Sequence, residues 1–441
     1  MLVQVAPDRF DKLRQLGGMA TDDVLSSSRE EKFVAPSTSP TPRRNRDLPV
    51  GVYRAAMPNG KSIALMRVMF TDFCMMDCHY CPNSTWVPRK RYGFTVDELA
   101  GTFMELYERQ TVAGLFLSSG IAGSPDKTMD KLLNTVEALR KRYSYRGYVH
   151  LKVMPGASAG YVKEAARLGT RLSINIETPT DEMLKRISPM KSMQKGILDP
   201  MSWIHEDLQE HNVTAVGQVT QMVVGAADES DKDIYKRMRQ LYGQWGFKRV
   251  YYQSFRPAKH TPLEEHPATP DWREHRLYQV DWLSRIYGYT DEELTPAFGS
   301  GGFLDQDLDP KVAVALERLD GAVDVNTADR QALIRVPGIG PLAADRILAN
   351  RRGHAIDTWR DLQAMGVAAK RAKAFVTFNG YKPTQAKQLK MELVQDARAE
   401  GKQGGRPNGS PLRGGRTGGC TTCTSGGCGT CPVATLRGQA A

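Results

Sequence analysis

Three of the seven cysteines lie within eight residues, in the segment CMMDCHYC. Cys74, Cys78 and Cys81 have the spacing Cys-x3-Cys-x2-Cys and directly follow the apolar run IALMRVMF. Three thiolates in one tight loop can bind three irons of a 4Fe-4S cluster, which leaves the fourth iron without a protein ligand. A small molecule can then chelate that iron and receive an electron. The spacing therefore predicts a redox cluster with one open iron.

The alternative for this segment is a structural zinc site, with His79 as the fourth ligand. His79 is adjacent to Cys78 in the chain, which is awkward for tetrahedral coordination within so short a loop. A disulfide framework would spread its cysteines along the chain, whereas all seven lie in two clusters.

The second cluster lies near the end of the sequence and consists of two CxxC pairs. Four thiolates at this spacing can bind zinc or a second iron–sulfur cluster, and both interpretations stay open. The surrounding Gly, Ser and Thr offer no hydrophobic core, so a metal would provide the order of the segment. The four residues are Cys420, Cys423, Cys428 and Cys431.

Composition indicates a globular protein with a polyanionic partner. The 441 residues are 41% hydrophobic and 25% charged, and the formal net charge is +11. Such a surplus favours binding to nucleic acid. No apolar stretch approaches the roughly 18 residues of a membrane span, and the N-terminus lacks an apolar signal-peptide segment. We therefore expect a cytoplasmic location and no membrane partner.

Short apolar runs alternate with amphipathic segments from about residue 61 onward. This rhythm is typical of βαβ units and a parallel sheet. Thr95 begins a capping box with Glu98, and Ser158 is a candidate N-cap. Six runs predict an α/β fold with a partial (β/α)6 barrel, whose ligands lie at the carboxyl ends of the strands. The runs are IALMRVMF, GLFLSSG, YVHLKVMPG, RLSINIETP, AVGQVTQMVVG and KRVYYQSFRP.

The composition changes along the chain and predicts four regions. Residues 1–60 form an N-terminal extension rich in Ser, Pro and charge, and residues 61–300 form the barrel. After a Gly/Pro-rich linker, residues 311–382 form an all-helical domain. Residues 383–441 contain one helix and a Gly/Arg-rich, cysteine-bearing tail whose composition predicts disorder.

The helical domain contains the sequence VPGIGPLAA, which is typical of a helix-hairpin-helix motif. Gly338 and Gly340 permit a tight turn around Ile339 with exposed amides, and the following helix start can bind a phosphate oxygen. Arg346 and Arg351 add positive charge to this predicted DNA-binding site. A second, weaker hairpin follows at residues 365–368. A helical hairpin used for protein contacts is the alternative.

The first cysteine cluster resembles the signature of the radical S-adenosylmethionine (SAM) superfamily, Cys-x3-Cys-x-aromatic-Cys, with Tyr80 as the aromatic residue. The resemblance implies that SAM is a cofactor and that the loop after the second strand holds its amino group. Here that loop contains Ser118, Ser119 and Gly120, which depart from the common Gly-Gly-Glu form.

The same resemblance implies further SAM contacts on later strands. Ser173, Asn175 and Glu177 alternate in RLSINIETP, which predicts that they share one face of a strand. Gly225 corresponds to a Gly-bearing turn beside the adenine. The implied reaction is reductive cleavage of SAM to a 5′-deoxyadenosyl radical, which abstracts a hydrogen atom from the substrate. An electron donor such as flavodoxin or ferredoxin is implied as a partner.

Most of residues 1–380 are similar to the DNA modification/repair radical SAM protein family. That resemblance implies a DNA nucleotide as substrate and a link to uracil-DNA-glycosylase-like proteins. The alternatives are an iron–sulfur DNA glycosylase, a non-catalytic iron–sulfur DNA-binding or scaffold protein, and a radical SAM enzyme that acts on RNA or protein.

Overall fold

The computed structural model describes residues 7–20, 50–56, 62–210 and 213–380. These residues form two compact units. The first contains the described residues up to Glu229 together with Lys236–Pro270, and the second contains Ser230–Tyr235 and the described residues from Asp271 onward. The contacts therefore group residues 271–300 with the second unit, whereas the sequence-based division groups them with the barrel. The predicted C-terminal cysteine cluster (Cys420, Cys423, Cys428 and Cys431) lies outside the described residues.

A seven-stranded sheet forms the centre of the first unit, with its strands in chain order. Strands β2 to β7 are parallel, as the six apolar runs predict. The sequence analysis missed β1, which pairs antiparallel with β2. The fold is the predicted partial (β/α)6 barrel with one added edge strand. The strands are β1 (Val52–Ala56), β2 (Ser62–Met69), β3 (Gly114–Ser118), β4 (Tyr148–Lys152), β5 (Arg171–Ser173), β6 (Gln218–Val224) and β7 (Arg249–Ser254).

Helices connect the parallel strands of the first unit. Thr95 forms the predicted capping box with Glu98. Ser158 is the N-cap residue of α4, as predicted, but its side chain makes no capping bond. Its backbone amide donates to Asp126 Oδ1 at 2.8 Å. The helices are α1 (Arg9–Met19), α2 (Val96–Glu108), α3 (Pro125–Lys141), α4 (Ala159–Leu168), α5 (Asp181–Ile187), a π-helical segment (Met193–Leu198), α6 (Asp199–Asp207) and α7 (Asp231–Trp245), whose first turn belongs to the second unit.

The two faces of the sheet differ in polarity. Side chains alternate along each strand, and one set, including Leu115, Leu117 and Leu151, is fully buried and apolar. This set faces the connecting helices. A Cβ built on Gly169, which follows α4, would contact Leu151 and Leu172. The opposite, inner face carries polar and aromatic side chains, namely Arg67, Phe116, Ser118, Tyr148, His150, Arg171 and Ser173.

The second unit is mainly helical and has its own hydrophobic core. It also contains a short parallel pair of strands, Val323–Asp324 and Val376–Thr377, which the all-helical prediction lacks. Its elements are α8 (Asp271–Arg285), α9 (Asp291–Leu294), a 3-10 turn (Thr295–Ala297), α10 (Pro310–Arg318), β8 (Val323–Asp324), α11 (Arg330–Arg335), α12 (Pro341–Asn350), α13 (Trp359–Ala364), α14 (Ala369–Ala372), a second 3-10 turn (Lys373–Phe375) and β9 (Val376–Thr377).

Among the described residues, no helix combines the length and apolar character that crossing a bilayer requires. The cytoplasmic location stays a prediction.

Candidate active site

The predicted cluster loop begins where β2 ends, at the carboxyl edge of the sheet. Its cysteines are held by backbone bonds that reach other loops: the amide of His79 donates to Ile187 O at 2.8 Å, and the amide of Met75 donates to Ile121 O at 2.8 Å. Within the loop, the amide of Cys81 donates to Cys78 O at 3.3 Å. The loop after β3 and the C-terminal end of α5 therefore support the cysteine loop.

A single arginine holds the two ends of this loop together. The guanidinium of Arg91 donates to four carbonyls, at 2.7–2.9 Å, and so satisfies acceptors that the irregular backbone leaves open. The acceptors belong to Asp72, Asn83, Ser84 and Val87. Arg91 thus fixes the path of the chain on both sides of the cysteines.

Cys78 is the most enclosed of the three thiols, with 5% of the residue exposed. The hydroxyl of Ser188 lies 3.1 Å from Cys78 Sγ. Burial raises the pKa of the Cys78 thiol, and the nearby charge of Lys191 and the Ser188 contact partly oppose that rise. Both partners follow α5, so a segment more than 100 residues away in the chain completes the surroundings of this sulfur.

A buried ion pair lies beside the thiols. The ammonium of Lys191 is 2.8 Å from Glu177 Oε1 and 3.4 Å from the Tyr80 hydroxyl. Burial lowers the pKa of Lys191, but the charges of Cys78 and Glu177 outweigh it, so the pKa lies above its usual value. Burial raises the pKa of Tyr80, and the charge of Glu177 adds to the rise. A permanent positive charge therefore faces the cysteine loop.

A single zinc ion and a cubane cluster place different demands on the ligands. Within the described part of the chain, no group of three or more His, Cys, Asp and Glu side chains is placed to hold one metal ion. A zinc site requires its ligand atoms within about 2.0–2.3 Å of one point, whereas a cubane cluster distributes three thiolates over three irons. The ring of His79 lies against Trp86 with centroids 6.3 Å apart.

The loop after β3 approaches the cysteine loop so closely that only glycine fits. A Cβ built on Gly120 would lie 2.2 Å from Phe73 O and 3.1 Å from Cys74 Cβ. The amide of Gly120 donates to Thr71 O at 2.7 Å, and the Ser119 hydroxyl donates to Gly120 O at 2.7 Å. The structure thus brings Gly120, and with it the preceding Ser119, close to Cys74. The Ser119 hydroxyl forms its hydrogen bond within its own loop.

The three predicted residues of RLSINIETP are arranged differently from a regular strand. β5 ends at Ser173, and Glu177 adopts a left-handed backbone conformation with φ of 65°. The amide of Asn175 lies 3.5 Å from the Glu177 carboxylate, and the Ser173 hydroxyl lies 2.9 Å from His150 Nε2. Glu177 is therefore a member of the buried ion pair, and Asn175 lies beside its carboxylate. Ser173, at the end of β5, instead contacts His150 on β4.

Gly225 ends β6 in a tight turn with φ of 87°. Its amide donates to the buried carboxylate of Glu229, and its carbonyl lies 2.9 Å from His266 Nε2. The turn requires glycine for conformational reasons, so the structure accounts for Gly225 as a turn residue. Its predicted contact with adenine stays a prediction.

The predicted hairpins of the second unit pack against each other. Gly338 has φ of 86°, a Cβ there would lie 2.6 Å from Ala368 O, and Ala368 donates its amide to Gly338 O at 2.9 Å. The buried Lys311 donates to Ile339 O at 2.6 Å. Gly340 is the N-cap of α12, and within the described residues no side chain caps this helix start.

The two predicted DNA-binding arginines have different surroundings. Arg351 is partly buried and donates to the carbonyls of Val325 at 3.0 Å and Ala328 at 2.6 Å. Arg346 is exposed and makes one contact of 3.3 Å, to Met365 O. Arg351 therefore stabilises the unit itself, and the guanidinium of Arg346 is the better placed of the two for an external phosphate.

Sequence reasoning missed Arg91, Ser188, Lys191 and His150. The first three belong to irregular segments without periodicity, and Ser188 and Lys191 reach the cysteines only through a contact of more than 100 residues in sequence. His150 sits in a predicted strand, but a single histidine in an apolar run carries no functional signal.

Comparison with known proteins identifies two regions. Residues 68–241 match the model of the radical SAM superfamily, and residues 320–367 match that of the helix-hairpin-helix motif. No curated protein sequence matches the chain. The chain therefore carries a radical SAM domain and a helix-hairpin-helix motif.

Solved structures similar to the chain share little sequence with it. Methylornithine synthase (PylB) has a TM-score of 0.40 at 14% identity, over 49% of this chain and 60% of that protein, so the chain spans less than two thirds of its length. The FeFe-hydrogenase maturase HydG has a TM-score of 0.41 at 12% identity, over 77% and 82%. A radical SAM methyltransferase from Sphaerobacter thermophilus has a TM-score of 0.39 at 13% identity, over 52% and 68%.

Proposed function

We propose that this radical SAM enzyme modifies or repairs a nucleotide in DNA. The superfamily uses a 4Fe-4S cluster and SAM, and the observation that carries the proposal is the presence, in one chain, of the enclosed cysteine loop and a paired helix-hairpin-helix motif. The first supplies the chemistry, and the second supplies a means of holding nucleic acid.

The residues around the cysteine loop fit a cluster with one open iron. Cys74, Cys78 and Cys81 would bind three irons, since they are the only thiols in the described part of the chain. Ser188 would donate a hydrogen bond to the Cys78 sulfur, and Lys191 would offset the negative charge of the thiolates. When bound, the cluster and SAM supply one-electron chemistry that removes a hydrogen atom from the substrate.

The chain's own residues would orient the cofactor and keep water away. Glu177 accepts from the Lys191 ammonium, and Asn175 lies beside the Glu177 carboxylate. Glu177 would accept hydrogen bonds from SAM, and Asn175 would donate hydrogen bonds to it. Gly120 approaches the backbone of Phe73 so closely that no side chain or water fits at that point between the two loops. Exclusion of water protects a reactive species from side reactions.

The second unit supports DNA as the partner. Glycine hairpins that precede a helix start present backbone amides to a phosphate, and such contacts carry little sequence information. The uncapped start of α12 at Gly340 and the exposed Arg346 are suited to this role. A target base would be extruded from the duplex or lie in a single strand, because chemistry on a stacked base is blocked.

The test is SAM cleavage in the full-length protein, reconstituted with iron and sulfide without oxygen. After reduction, 5′-deoxyadenosine is measured with no nucleic acid, with DNA and with RNA of the same sequence. Cleavage stimulated by DNA supports the proposal. A cluster-loaded protein that does not cleave SAM contradicts the enzymatic part, and stimulation by RNA alone contradicts the choice of DNA.

Two partners complete the proposal. Flavodoxin or ferredoxin would supply the electron, and replacing a chemical reductant by either protein in the same assay tests this role. A uracil-DNA-glycosylase-like protein would act on the same DNA, and co-purification of the two chains on a DNA resin tests that association.

A further inference from the structure

Four residues in register on β2 to β5 lie on the inner face of the barrel, and three of them have basic side chains. The register pairs Arg67 with Phe116, Phe116 with His150, and His150 with Arg171. These residues lie side by side on β2, β3, β4 and β5, and the ring of His150 contacts that of Phe116 with centroids 4.4 Å apart. We call Arg67, His150 and Arg171 the cationic row.

Arg67 and His150 are buried, Arg171 is partly buried, and part of the row's hydrogen-bonding capacity is unused. Arg67 is 6% exposed and His150 is 1% exposed. Among the described residues, Arg67 Nε, His150 Nδ1 and Arg171 Nε are buried and have no hydrogen-bond partner. The Arg67 guanidinium lies over the ring of Tyr53, 5.0 Å from its centroid, and stacking on a ring face supplies no acceptor for the Nε–H group.

The row also lacks a carboxylate. In the described part of the chain, neither Arg67 nor Arg171 forms an ion pair, and the buried Glu177 is bound to Lys191. Burial lowers the pKa of His150 well below its usual value, and the charges of Arg171 and Lys152 add to this effect. His150 is therefore a neutral imidazole, and with the Ser173 hydroxyl donating to its Nε2 the ring would present Nδ1–H beside the two guanidinium groups.

Such an arrangement is costly unless something completes it. A buried donor without an acceptor is destabilising, and buried arginines are normally paired with an acid. Two guanidinium groups and a neutral imidazole on β2, β4 and β5, with two formal positive charges, match an oxyanion. A phosphate offers several strong acceptor oxygens and matches the planar fork of arginine.

We infer that the cationic row binds the phosphate group of the substrate on the floor of the barrel. This inference rests on the proposed function, because it assumes that the substrate enters the barrel. Arg171 lies two residues before Ser173, roughly 7 Å deeper along the strand. When a nucleotide inside a DNA strand is flipped, its base enters the barrel and its two phosphates stay at the barrel mouth. A phosphate that reaches the cationic row therefore belongs to a strand end or to a free nucleotide.

The test uses full-length, cluster-reconstituted protein without SAM and follows inorganic phosphate by 31P NMR. Saturable broadening of the phosphate signal is expected in the wild type. Arg171→Gln and His150→Gln should weaken phosphate binding at least about tenfold, the effect of one charge-assisted hydrogen bond. Arg109→Gln, at an exposed position after α2, is the control and should bind phosphate like the wild type.

Competition identifies the source of the phosphate. A deoxynucleoside monophosphate, a 5′-phosphorylated oligonucleotide and the same oligonucleotide without its phosphate are each added to the phosphate-bound protein. Displacement by either phosphorylated compound, but not by the unphosphorylated one, supports the inference and names the source. Equal displacement by all three, or equal phosphate affinity in the row variants and the control, overturns it.

The two proposals fail separately. DNA-stimulated SAM cleavage without saturable phosphate binding overturns the phosphate site and leaves the proposed function intact. Phosphate binding that depends on Arg171 and His150, in a protein that cleaves no SAM, supports the phosphate site and contradicts the proposed reaction.

Discussion

Lys191 and Glu177 form a buried ion pair, 2.8 Å between Nζ and Oε1, at the side of the loop that carries the three predicted cluster ligands. Burial raises the pKa of the Cys78 thiol, the charge of Lys191 lowers it, and the charge of Glu177 raises it. The two members of the pair therefore act on the sulfur in opposite directions. Residues that follow β5 and α5 therefore set the charges close to the Cys78 sulfur.

Replacement of either member should shift the cluster's reduction potential, in opposite directions. Lys191→Met removes a positive charge near the thiolates and should make the potential more negative, because an added electron is then less stabilised. Glu177→Gln removes the opposing negative charge and should make it more positive. Redox titration followed by EPR measures both shifts, and Lys195→Met, at an exposed position nearby, should leave the potential unchanged. Shifts of the same sign in both variants would contradict this electrostatic role.

Cys78→Ala should abolish the cluster, because the loop then offers two thiolates instead of three. The expected result is loss of the iron–sulfur absorption after reconstitution and no formation of 5′-deoxyadenosine. Cys423→Ala is the matched control, since it also removes one cysteine but from the C-terminal group. An unchanged spectrum and unchanged formation of 5′-deoxyadenosine in Cys78→Ala would show that Cys78 is not a ligand.

Gly120→Ala should destabilise the site, because its Cβ would lie 2.2 Å from the carbonyl oxygen of Phe73. Backbone cannot move aside as a flexible side chain can, so a loss of about 1–3 kcal/mol in unfolding free energy is expected, with reduced iron content. Urea denaturation and iron analysis measure these effects. Gly160→Ala in α4 meets no atom within 4 Å, and it should be neutral or stabilise by about 0.5–1 kcal/mol.

Arg346→Gln and Arg351→Gln should separate DNA binding from stability. Arg346 is exposed, so its replacement should weaken DNA binding similarly for all sequences and lower the salt dependence by about one charge, without changing the melting temperature. Arg351 donates to two carbonyls, so its replacement should lower the melting temperature. Fluorescence anisotropy at several salt concentrations and thermal denaturation distinguish the two. Unchanged affinity of Arg346→Gln at low salt would exclude a phosphate contact there.

Local sequence patterns predicted the architecture well. Alternating apolar runs and helical segments identified the six parallel strands and the partial barrel, and the match of residues 68–241 to the radical SAM superfamily confirmed the enzyme class. The spacing of the glycines around Ile339 identified the helix-hairpin-helix motif. The assignment of individual cluster, SAM and DNA contacts stays a prediction.

Other features had no local signal. The strand β1 was missed because a five-residue edge strand is too short for a clear pattern, and the alternation predicted for Ser173, Asn175 and Glu177 broke where β5 ends. Arg91 was missed because its role depends on four carbonyls whose orientation follows from the folded loop.

The sequence by itself determined the kind of fold and predicted which residues would carry redox chemistry, because hydrophobic periodicity and ligand spacing are properties of neighbouring residues. Only the tertiary structure decided what surrounds them. Contacts such as Cys78 with Ser188, and the register that aligns Arg67 with His150 and Arg171, join residues far apart in the chain. Strand order and packing set these distances, and no pattern of neighbouring residues encodes them.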